Sequence, residues 1–326
     1  MNSNTSWAQQ SVLITGGTGS FGRRLVEMVL RKDPPKRLIV FSRDELKQFE
    51  MAQEFHHDCL RFFLGDVRDK DRLMRAFDGV DYVIHAAALK QIPAAEYNPY
   101  EFVRTNVLGS QNVIDAAIDR GVQKIIALST DKAANPINLY GATKLCSDKL
   151  FISGNSYAGG HRTRFAVVRY GNVVNSRGSV VPHFRKLRSS GVIPITDPRM
   201  TRFWITLEQG VDFVLNSLDL MKGGELFVPK IPSMTLVDLA RAIAPKCRQE
   251  IVGIRPGEKL HETMVAEDDA RRTLEFDNFY LIQPDFPWWD DVHWNSGRKV
   301  ADRFHYSSDT NPWRLSQDEL RKMVGE

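Results

Sequence analysis

A glycine-rich turn near the start of the chain constrains the fold more than any other feature of the sequence. The apolar run "SVLITGG" spans residues 11–17, and a segment with helical periodicity follows at residues 21–33. Gly16, Gly19 and Gly22 have the spacing G-x-x-G-x-x-G in this strand–turn–helix unit. Glycines allow a tight turn and let a pyrophosphate approach the helix N-terminus closely. The pattern therefore predicts a dinucleotide-binding site, and the alternative is a glycine-rich turn without a ligand.

Apolar runs that are typical of buried strands recur through the first half of the chain. They lie at residues 37–42, 60–66, 80–88, 122–129 and 163–171. Helical patterns separate them, and this alternation predicts a parallel sheet covered by helices on both faces. The expected fold class is therefore α/β, with a Rossmann-type doubly wound parallel sheet.

The pattern changes after about residue 172, where prolines and glycines become frequent and the apolar runs shorten. We interpret residues 1–172 as a nucleotide-binding domain, to which residues of about 203–230 return. Residues 173–326 are expected to form mainly a smaller C-terminal substrate-binding lobe. Such a lobe would lie at the carboxyl ends of the strands, where open α/β sheets bind their ligands.

Composition argues against several classes of partner. The net charge of the 326 residues is +4 and no basic run has interleaved aromatic residues, so nucleic acid is not an expected partner. No apolar run reaches the roughly 18–20 residues of a membrane helix, and the first residues do not resemble a signal peptide. Cys59, Cys146 and Cys247 have no disulfide or metal-ligand spacing. We expect a cytoplasmic protein with no metal site and no membrane attachment.

The end of the second predicted strand, "FSRDELKQ", bears on the choice of dinucleotide. A protein that binds NAD usually carries an acid here, which accepts hydrogen bonds from the ribose hydroxyls. This strand instead ends in Ser42 and Arg43 before Asp44. A hydroxyl and a guanidinium suit a 2′-phosphate, which an acid would repel. We therefore predict NADP; in the alternative, Asp44 binds NAD and Arg43 is a solvated surface residue.

The stretch "STDKAANPINLYGATK", residues 129–144, concentrates ionisable side chains. Tyr140 and Lys144 form Y-x-x-x-K, with the two residues one helical turn apart. An ammonium group near a phenol lowers its pKa from about 10, so this tyrosine could exchange a proton during hydride transfer. Asp131 and Lys132 lie directly after the fifth predicted strand. The alternatives are a chance Y-x-x-x-K pattern and a solvated ion pair at a strand end.

The stretches "TGGTGSFG", "HAAA" and "YGATK" resemble those of extended short-chain dehydrogenases/reductases. More narrowly, the chain resembles the inverting UDP-N-acetylglucosamine 4,6-dehydratases, the soluble enzymes that open pseudaminic acid biosynthesis for flagellin glycosylation. The stretches that carry this resemblance span nearly the whole chain: "FSRDELKQ", "HAAALKQIPAAEYNP", "STDKAANPINLYGATK", "RYGNVVNSRGSVVP", "TDPRMTRFWIT", "RPGEKLHE" and "YSSDTNPW". Gln91 departs from the pattern, because we expect a histidine at this position.

The resemblance implies a carbon–oxygen lyase that acts on UDP-N-acetylglucosamine with a tightly bound, recycled NADP. C4 is oxidised, water is eliminated across C5 and C6, and hydride returns to C6. The implied product is UDP-2-acetamido-2,6-dideoxy-β-L-arabino-hexos-4-ulose. The elimination needs a base for the C5 proton and an acid for the C6 hydroxyl. The resemblance makes Lys132 the base and Asp131 the acid; the residues alone decide neither these two roles nor the configuration at C5.

These roles set conditions on the protonation states of the side chains. Lys132 must be neutral to act as a base, and we expect partial burial and the nearby Lys144 to lower its pKa. Asp131 must be protonated to donate, which requires an apolar or substrate-covered site. By resemblance, Thr130 would hydrogen-bond the C4 oxygen, next to Tyr140 as the acid–base residue.

The motifs and the resemblance together imply two sets of binding residues, which share Lys90. The expected cofactor-binding residues are Gly16, Thr18, Gly19, Ser20, Phe21, Gly22, Ser42, Arg43, Asp44, Lys47, Asp66, Val67, Ala86, Lys90, Leu128, Ser129, Tyr140, Lys144 and Val173. The expected substrate-binding residues are Lys90, Asn172, Arg177, Gly178, Ser179, Val180, Val181, Pro182, Thr196, Arg255 and Glu258. By resemblance, Arg255 would bind the diphosphate and Glu258 a ribose hydroxyl. Alternatively, Arg255 or Arg202 forms a surface ion pair.

Two other functions remain open at this point. A UDP-hexose 4-epimerase needs only Tyr140 and Lys144 and has no use for Asp131 and Lys132. A non-catalytic NADP-binding sensor often lacks the tyrosine or lysine, and this chain has both. The resemblance also implies a homo-oligomer, often a hexamer, although no interface can be identified from the residues. The pathway also stays open, because flagellar, capsular and other surface glycans share this first step.

Overall fold

The strands of this computed structural model account for its main sheet and three smaller ones. The structure describes residues 7–286, 289 and 294–326. The strands are β1 Ser11–Thr15, β2 Arg37–Ser42, β3 Leu60–Leu64, β4 Tyr82–His85, β5 Lys124–Thr130, β6 Arg164–Tyr170, β7 Asn172–Val173, β8 Val192–Ile195, β9 Thr201–Ile205, β10 Leu226–Pro229, β11 Ser233–Thr235, β12 Arg248–Ile251, β13 Thr263–Val265, β14 Thr273–Glu275, β15 Phe279–Ile282, β16 Arg298–Lys299 and β17 Tyr306–Ser307.

Helices connect most of the parallel strands and cover the main sheet. They are α1 Ser20–Lys32, α2 Glu45–Glu54, α3 Lys70–Ala76, α4 Ile92–Tyr97, α5 Pro99–Phe102, α6 Gly109–Asp119, α7 Leu139–Tyr157, α8 Val180–Leu187, α9 Leu207–Leu220, α10 Leu236–Ile243 and α11 Gln317–Val324. A π-helical segment, Val103–Leu108, joins α5 to α6. A 3-10 turn, Asp131–Ala133, follows β5 directly.

The main sheet has the strand order β16-β14-β15-β10-β6-β5-β4-β1-β2-β3 among the described residues. From β3 to β10 the neighbouring strands are parallel, and β15, β14 and β16 extend the sheet in antiparallel fashion. The chain moves outward from β1 to β3 and then in the opposite direction from β4 to β6. Right-handed crossovers therefore place the connecting helices on opposite faces. This is the expected doubly wound α/β fold, and the prediction is confirmed.

Local sequence explains why the central strands lie inside the molecule. All five residues of β1 are buried, as are six of the seven residues of β5. Such β-branched and aliphatic runs suit a strand that is covered on both faces. The order of the sheet reverses between β1 and β4, so the crevice beyond their carboxyl ends is the expected ligand site. The glycine-rich turn follows β1 and therefore lies at this reversal.

A second, smaller core lies beyond the carboxyl ends of the parallel strands. It packs α8, α10 and α11 around Val181, Phe184 and Trp204. Strands β8, β9 and β11 contribute buried residues to it, whereas β13 and β17 pack against the main core. Between these parts the chain returns to the main sheet, because α9 packs against α1 and β10 pairs with β6. Within the described part of the chain, no helix is long and apolar enough to cross a bilayer.

Candidate active site

A cavity of about 1250 Å³ lies between the carboxyl ends of the parallel strands and the smaller lobe. The glycine-rich turn, the ends of β2, β4 and β5, and the start of α7 form one side. Residues 171–180 and 252–262 contribute to the other side. All the expected cofactor-binding residues line this cavity. Their roles as ligands of a bound dinucleotide remain predictions.

The glycine-rich turn has the geometry of a cradle for a pyrophosphate. Gly16 has φ +67°, and a Cβ built on it would lie 2.8 Å from Ala87 Cα. Gly19 is the N-cap of α1, and no side chain caps this 13-residue helix. Its first N–H groups and its dipole are therefore available to an anion. The residues present fit a dinucleotide, because the tight turn ends at the uncapped N-terminus of α1, which can accept a pyrophosphate.

We expect Gly22→Ala to destroy this cradle. A Cβ at Gly22 would lie 2.3 Å from the carbonyl oxygen of Gly17, so the turn must move. We predict at least a tenfold loss of dinucleotide affinity by calorimetric titration and a loss of stability of about 1–3 kcal/mol. Gly210→Ala is the control, since nothing lies within 4 Å of a Cβ at that helical position. Equal affinities of the Gly22→Ala variant and the unmodified protein would contradict the assignment.

The groups at the end of β2 surround the place where an adenosine ribose would bind. Ser42 is buried and its hydroxyl is 2.8 Å from that of Thr18, which joins β2 to the glycine-rich turn. Asp44 is the N-cap of α2, accepts from the backbone N–H of Lys47 and forms an ion pair with its ammonium. These bonds to Lys47 lower the pKa of Asp44. Arg43 is exposed, with Nη1 3.5 Å from Asp66.

The turn after β5 brings an acid and an amine together. Thr130 caps this turn, and its hydroxyl donates to Asp131 Oδ1 at 3.0 Å. The Lys132 ammonium donates to the same Asp131 oxygen at 3.0 Å and to Asn172 Oδ1 at 3.4 Å. Lys132 and Thr130 line the cavity, whereas the Asp131 side chain lies behind them and is 1% exposed. The alternative of a solvated ion pair is therefore wrong.

A second carboxylate, Glu262, contacts Lys132 from the other side of the cavity. Its Oε1 is 3.2 Å from Lys132 Nζ and 3.8 Å from Arg202 Nε, and its side chain is 2% exposed. Burial by itself lowers the pKa of Lys132, but Asp131 and Glu262 outweigh it and raise that pKa. Our expectation that burial and Lys144 lower the pKa of Lys132 is wrong for the free protein. The two carboxylates, one of which we did not foresee, are the reason.

Tyr140 and Lys144 lie on the first turns of α7. Asn138 caps this helix by accepting from Gly141 N–H, and a Cβ at Gly141 would lie 2.2 Å from the Lys132 carbonyl oxygen. Glycine at this position therefore lets the start of α7 approach the Asp131–Ala133 turn. Burial raises the pKa of Tyr140 to about 12, and the charge of Lys132 opposes this rise. Lys132, rather than Lys144 as we expected, is the cation that stabilises the phenolate in the free protein.

Lys144 is buried one helical turn after Tyr140, and burial lowers the pKa of its ammonium. Asp148, one turn further along α7, opposes that effect. The Asp148 carboxylate itself accepts from the Ser129 hydroxyl at 2.7 Å and from Arg169 at 3.2 Å. Asp148 is therefore tied to β5 and β6. Among the described residues, no group of His, Cys, Asp and Glu side chains could hold a metal ion.

The expected substrate residues are only partly brought to the cavity. Val181 and Pro182 do not line it, although the neighbouring Val180 does. Helix α8 begins at Val180, so Val181 turns into the second core, where it is fully buried with Phe184. The other expected substrate residues line the cavity.

Contacts at the mouth of the cavity differ in part from the expectation. Lys90 Nζ donates to the Arg177 carbonyl at 3.3 Å, which links the two sides of the cavity. Arg255 Nε donates to Glu258 Oε1 at 2.9 Å, so these two expected substrate ligands pair with each other. Arg202 is buried and also lines the cavity. The alternative that Arg202 forms a surface ion pair is therefore wrong.

Sequence reasoning missed Glu262, the buried carboxylate that contacts Lys132. Its signal was present, since Glu262 is the last residue of "RPGEKLHE", a stretch that we used only for Arg255 and Glu258. Glu262 precedes β13, which packs against the Asp131–Ala133 turn. This tertiary contact brings together residues that are 130 positions apart in the chain, and local patterns do not encode it.

Comparison with known proteins places this arrangement in a family. A sequence model of the family described as "Polysaccharide biosynthesis protein" matches residues 12–284. The chain belongs to this polysaccharide biosynthesis family. It is 57% identical, over 97% of both chains, to a Campylobacter jejuni protein named UDP-N-acetylglucosamine 4,6-dehydratase (inverting). The resemblance seen in the motifs is thereby confirmed.

Two further relatives extend the comparison. A Rickettsia akari protein named UDP-glucose 4-epimerase is 39% identical, with 98% of this chain and 96% of the relative covered. Among solved structures, Pen from Bacillus thuringiensis is 35% identical, with 98% of both chains covered and a TM-score of 0.90. Similarity therefore extends over nearly the whole chain, both lobes included, and the chain is more similar to the dehydratase than to the epimerase.

Proposed function

We propose that this protein is a UDP-N-acetylglucosamine 4,6-dehydratase that inverts C5. The observation that carries the proposal is the Asp131–Lys132 pair, 3.0 Å apart, beside the cavity that Tyr140 also lines. A 4-epimerase needs a proton acceptor and donor only at the C4 oxygen. An acid and an amine in addition to the tyrosine suit the removal of a proton from C5 and of a hydroxyl from C6. The 57% identity to the Campylobacter jejuni relative supports the same conclusion.

Each side chain has a defined role in the proposed reaction. Tyr140, once ionised to the phenolate, takes the proton of the C4 hydroxyl, and Thr130 donates a hydrogen bond to the C4 oxygen. A dinucleotide held by the glycine-rich turn would supply the hydride acceptor for C4 and the hydride donor for C6. The C4 ketone makes the C5 proton acidic, so Lys132 can remove it. Asp131 is the acid by resemblance, and its buried side chain must turn past Thr130 and Lys132 toward the cavity to give a proton to the C6 oxygen. This oxygen leaves as water, and the C5 carbon then regains a proton.

We propose NADP as the dinucleotide. The reaction has no net redox change, so we propose that the dinucleotide stays tightly bound and is recycled. Asp44, which would bind the ribose hydroxyls of NAD, already caps α2 and pairs with Lys47. Arg43 is exposed next to it, and among the described residues its one ion pair is the 3.5 Å contact with Asp66. Its guanidinium is thus available to a 2′-phosphate.

Arg43→Ala is expected to weaken binding of NADP far more than binding of NAD. Loss of a hydrogen-bonded charge pair costs about 1.5–3 kcal/mol, which corresponds to about a ten- to hundredfold loss of NADP affinity. Titration of the purified variant with each dinucleotide measures the effect. Arg120→Ala, an exposed arginine outside the cavity, is the control. Equal losses for the two dinucleotides would remove the argument for phosphate selection.

Further proposals rest on the resemblance. Arg255 and Glu258 would exchange their mutual contact for the diphosphate and a ribose hydroxyl of the substrate. We propose a cytoplasmic homo-oligomer, a hexamer by family resemblance. Flagellin glycosylation through pseudaminic acid is the proposed pathway, with capsular or other surface glycans as alternatives.

A single assay tests the proposed function. Purified protein is incubated with UDP-N-acetylglucosamine, and the products are followed by NMR. A 6-deoxy-4-keto sugar supports the dehydratase, and the ring coupling constants report the configuration at C5. UDP-N-acetylgalactosamine would indicate a 4-epimerase instead. Unchanged substrate with bound dinucleotide would indicate a sensor.

A further inference from the structure

Glu262 is a buried carboxylate for which the reaction as described above has no use. It lies just before β13, which packs against the Asp131–Ala133 turn, and its Oε1 is 3.2 Å from Lys132 Nζ. Its Oε2 has no hydrogen-bond partner among the described residues, and the Lys259 ammonium is 3.9 Å away from it. A buried charged oxygen without a hydrogen bond is costly. We therefore expect Glu262 to have a function that involves Lys132.

Lys132 is held between two carboxylates and near several other charges. Asp131 and Glu262 both contact its ammonium, at 3.0 and 3.2 Å. The other titratable or charged groups that interact with Lys132, Glu262 or Asp131 are Arg202, Lys259, Lys90 and Tyr140. The two carboxylates determine the direction in which the pKa of Lys132 shifts, because they are the charged groups in direct contact with its ammonium.

This arrangement presents a chemical difficulty for the elimination. An ammonium cannot remove the C5 proton, and an ionised aspartate cannot protonate the C6 oxygen. Both groups are therefore in the wrong protonation state while the ion pair persists. A single proton transfer within the pair, from Lys132 Nζ to Asp131 Oδ1, corrects both at once. The 3.0 Å separation of these two atoms suits such a transfer.

We propose that Glu262 is a positioning residue that keeps Lys132 protonated in the free enzyme, so that Lys132 becomes a base only by passing its proton to Asp131. The inference rests on the proposed dehydratase function. In the transfer, one N–H bond of Lys132 breaks and one O–H bond forms on Asp131. The Lys132 amine then takes the C5 proton and the C5–C6 double bond forms, while the Asp131 side chain turns toward the cavity and gives its proton to the departing C6 oxygen. The elimination thus ends with the ammonium and the carboxylate restored.

The test is the pH dependence of product formation by Glu262→Gln. The active form carries one proton on the Lys132–Asp131 pair, so activity is lost as rising pH removes that proton. Without the Glu262 charge, we expect this alkaline limb of kcat to move about one to three pH units lower. Glu262→Asp, in which the carboxylate is one methylene further away, should give an intermediate limb. If Glu262→Gln does not fold, the Glu262→Asp limb decides alone.

Two results would overturn the proposal. An alkaline limb that stays in place in both variants would mean that Glu262 does not act on Lys132. An acidic limb that moves lower, with faster turnover at neutral pH, would mean that Lys132 loses its proton to solvent rather than to Asp131. Glu225→Gln is the control, because Glu225 is equally buried but lies outside the cavity, where it accepts from backbone N–H groups. It should leave the limb unchanged.

A second readout needs no substrate and separates this inference from the proposed function. The pH at which Lys132 reacts with a small acylating reagent, followed by peptide mass spectrometry, reports protonation of its amine. This pH should be lower in Glu262→Gln than in the unmodified protein. If the shift occurs but no dehydrated product forms, the dehydratase function fails and the Glu262–Lys132 coupling stands. Normal product with no shift in either readout overturns the inference alone.

Discussion

Replacing Lys132 with alanine is expected to stop the elimination of water while the dinucleotide still binds. The variant lacks the amine that would take the C5 proton, and Asp131 loses the group that would supply its proton. General acid–base groups contribute about 10²–10⁴-fold to the rate, and we expect a loss of dehydration in this range. Slow oxidation at C4 should persist, because Tyr140 and Thr130 remain, although Tyr140 no longer has the Lys132 charge that lowers its pKa. Reduced nicotinamide, measured by absorbance, should then accumulate with UDP-N-acetylglucosamine.

Stability must be measured alongside this activity. Asp131 and Glu262 would lose the ammonium they share, and removal of one partner of a buried pair costs about 3–5 kcal/mol. Arg202 and Lys259 remain near Glu262, so we expect a smaller loss. Lys230→Ala is a matched control, because Lys230 is similarly buried and pairs with Glu275 outside the cavity. Full dehydratase activity of the Lys132→Ala variant would refute the assigned role.

The sequence predicted those parts of the fold that carry a local signal. Strands β1 to β6 are continuous apolar runs, and each formed where the pattern indicated. The glycine-rich turn depends on spacing over seven residues, from Gly16 to Gly22. Strands β14 and β16 have three and two residues, too few for periodicity to indicate them. Their place in the main sheet depends on pairing with β15, which is a tertiary effect.

Some features of the site can also be predicted from local sequence, and others depend on tertiary packing. Asp131, Lys132, Tyr140 and Lys144 lie within fourteen residues, so their proximity could be predicted from the sequence. The charge state of Lys132 could not, because it depends on Glu262, which reaches the site through the packing of β13. Burial alone would lower the pKa of Lys132, but the charges of Asp131 and Glu262 raise it. Sequence reasoning therefore identified the groups and misjudged their resting protonation.

Tyr140→Phe is expected to block the reaction one step earlier than the Lys132 variant does. Phenylalanine cannot take the proton of the C4 hydroxyl, so C4 is not oxidised and the C5 proton never becomes acidic. We predict a loss of about 10²–10⁴-fold in product formation. Unlike Lys132→Ala, this variant should show no reduced nicotinamide, and it should also show no deuterium at C5 in heavy water.

The comparison of these two variants tests the order of the chemical steps. Burial raises the pKa of Tyr140 to about 12, so the phenol is protonated in the free enzyme at neutral pH. Removing its hydroxyl therefore takes no charge out of the site, and we expect the Tyr140→Phe variant to fold and to bind dinucleotide normally. Accumulation of reduced nicotinamide in this variant would show that another group accepts the C4 proton. That result would refute the role of Tyr140, but it would leave the roles of Asp131 and Lys132 in the later elimination intact.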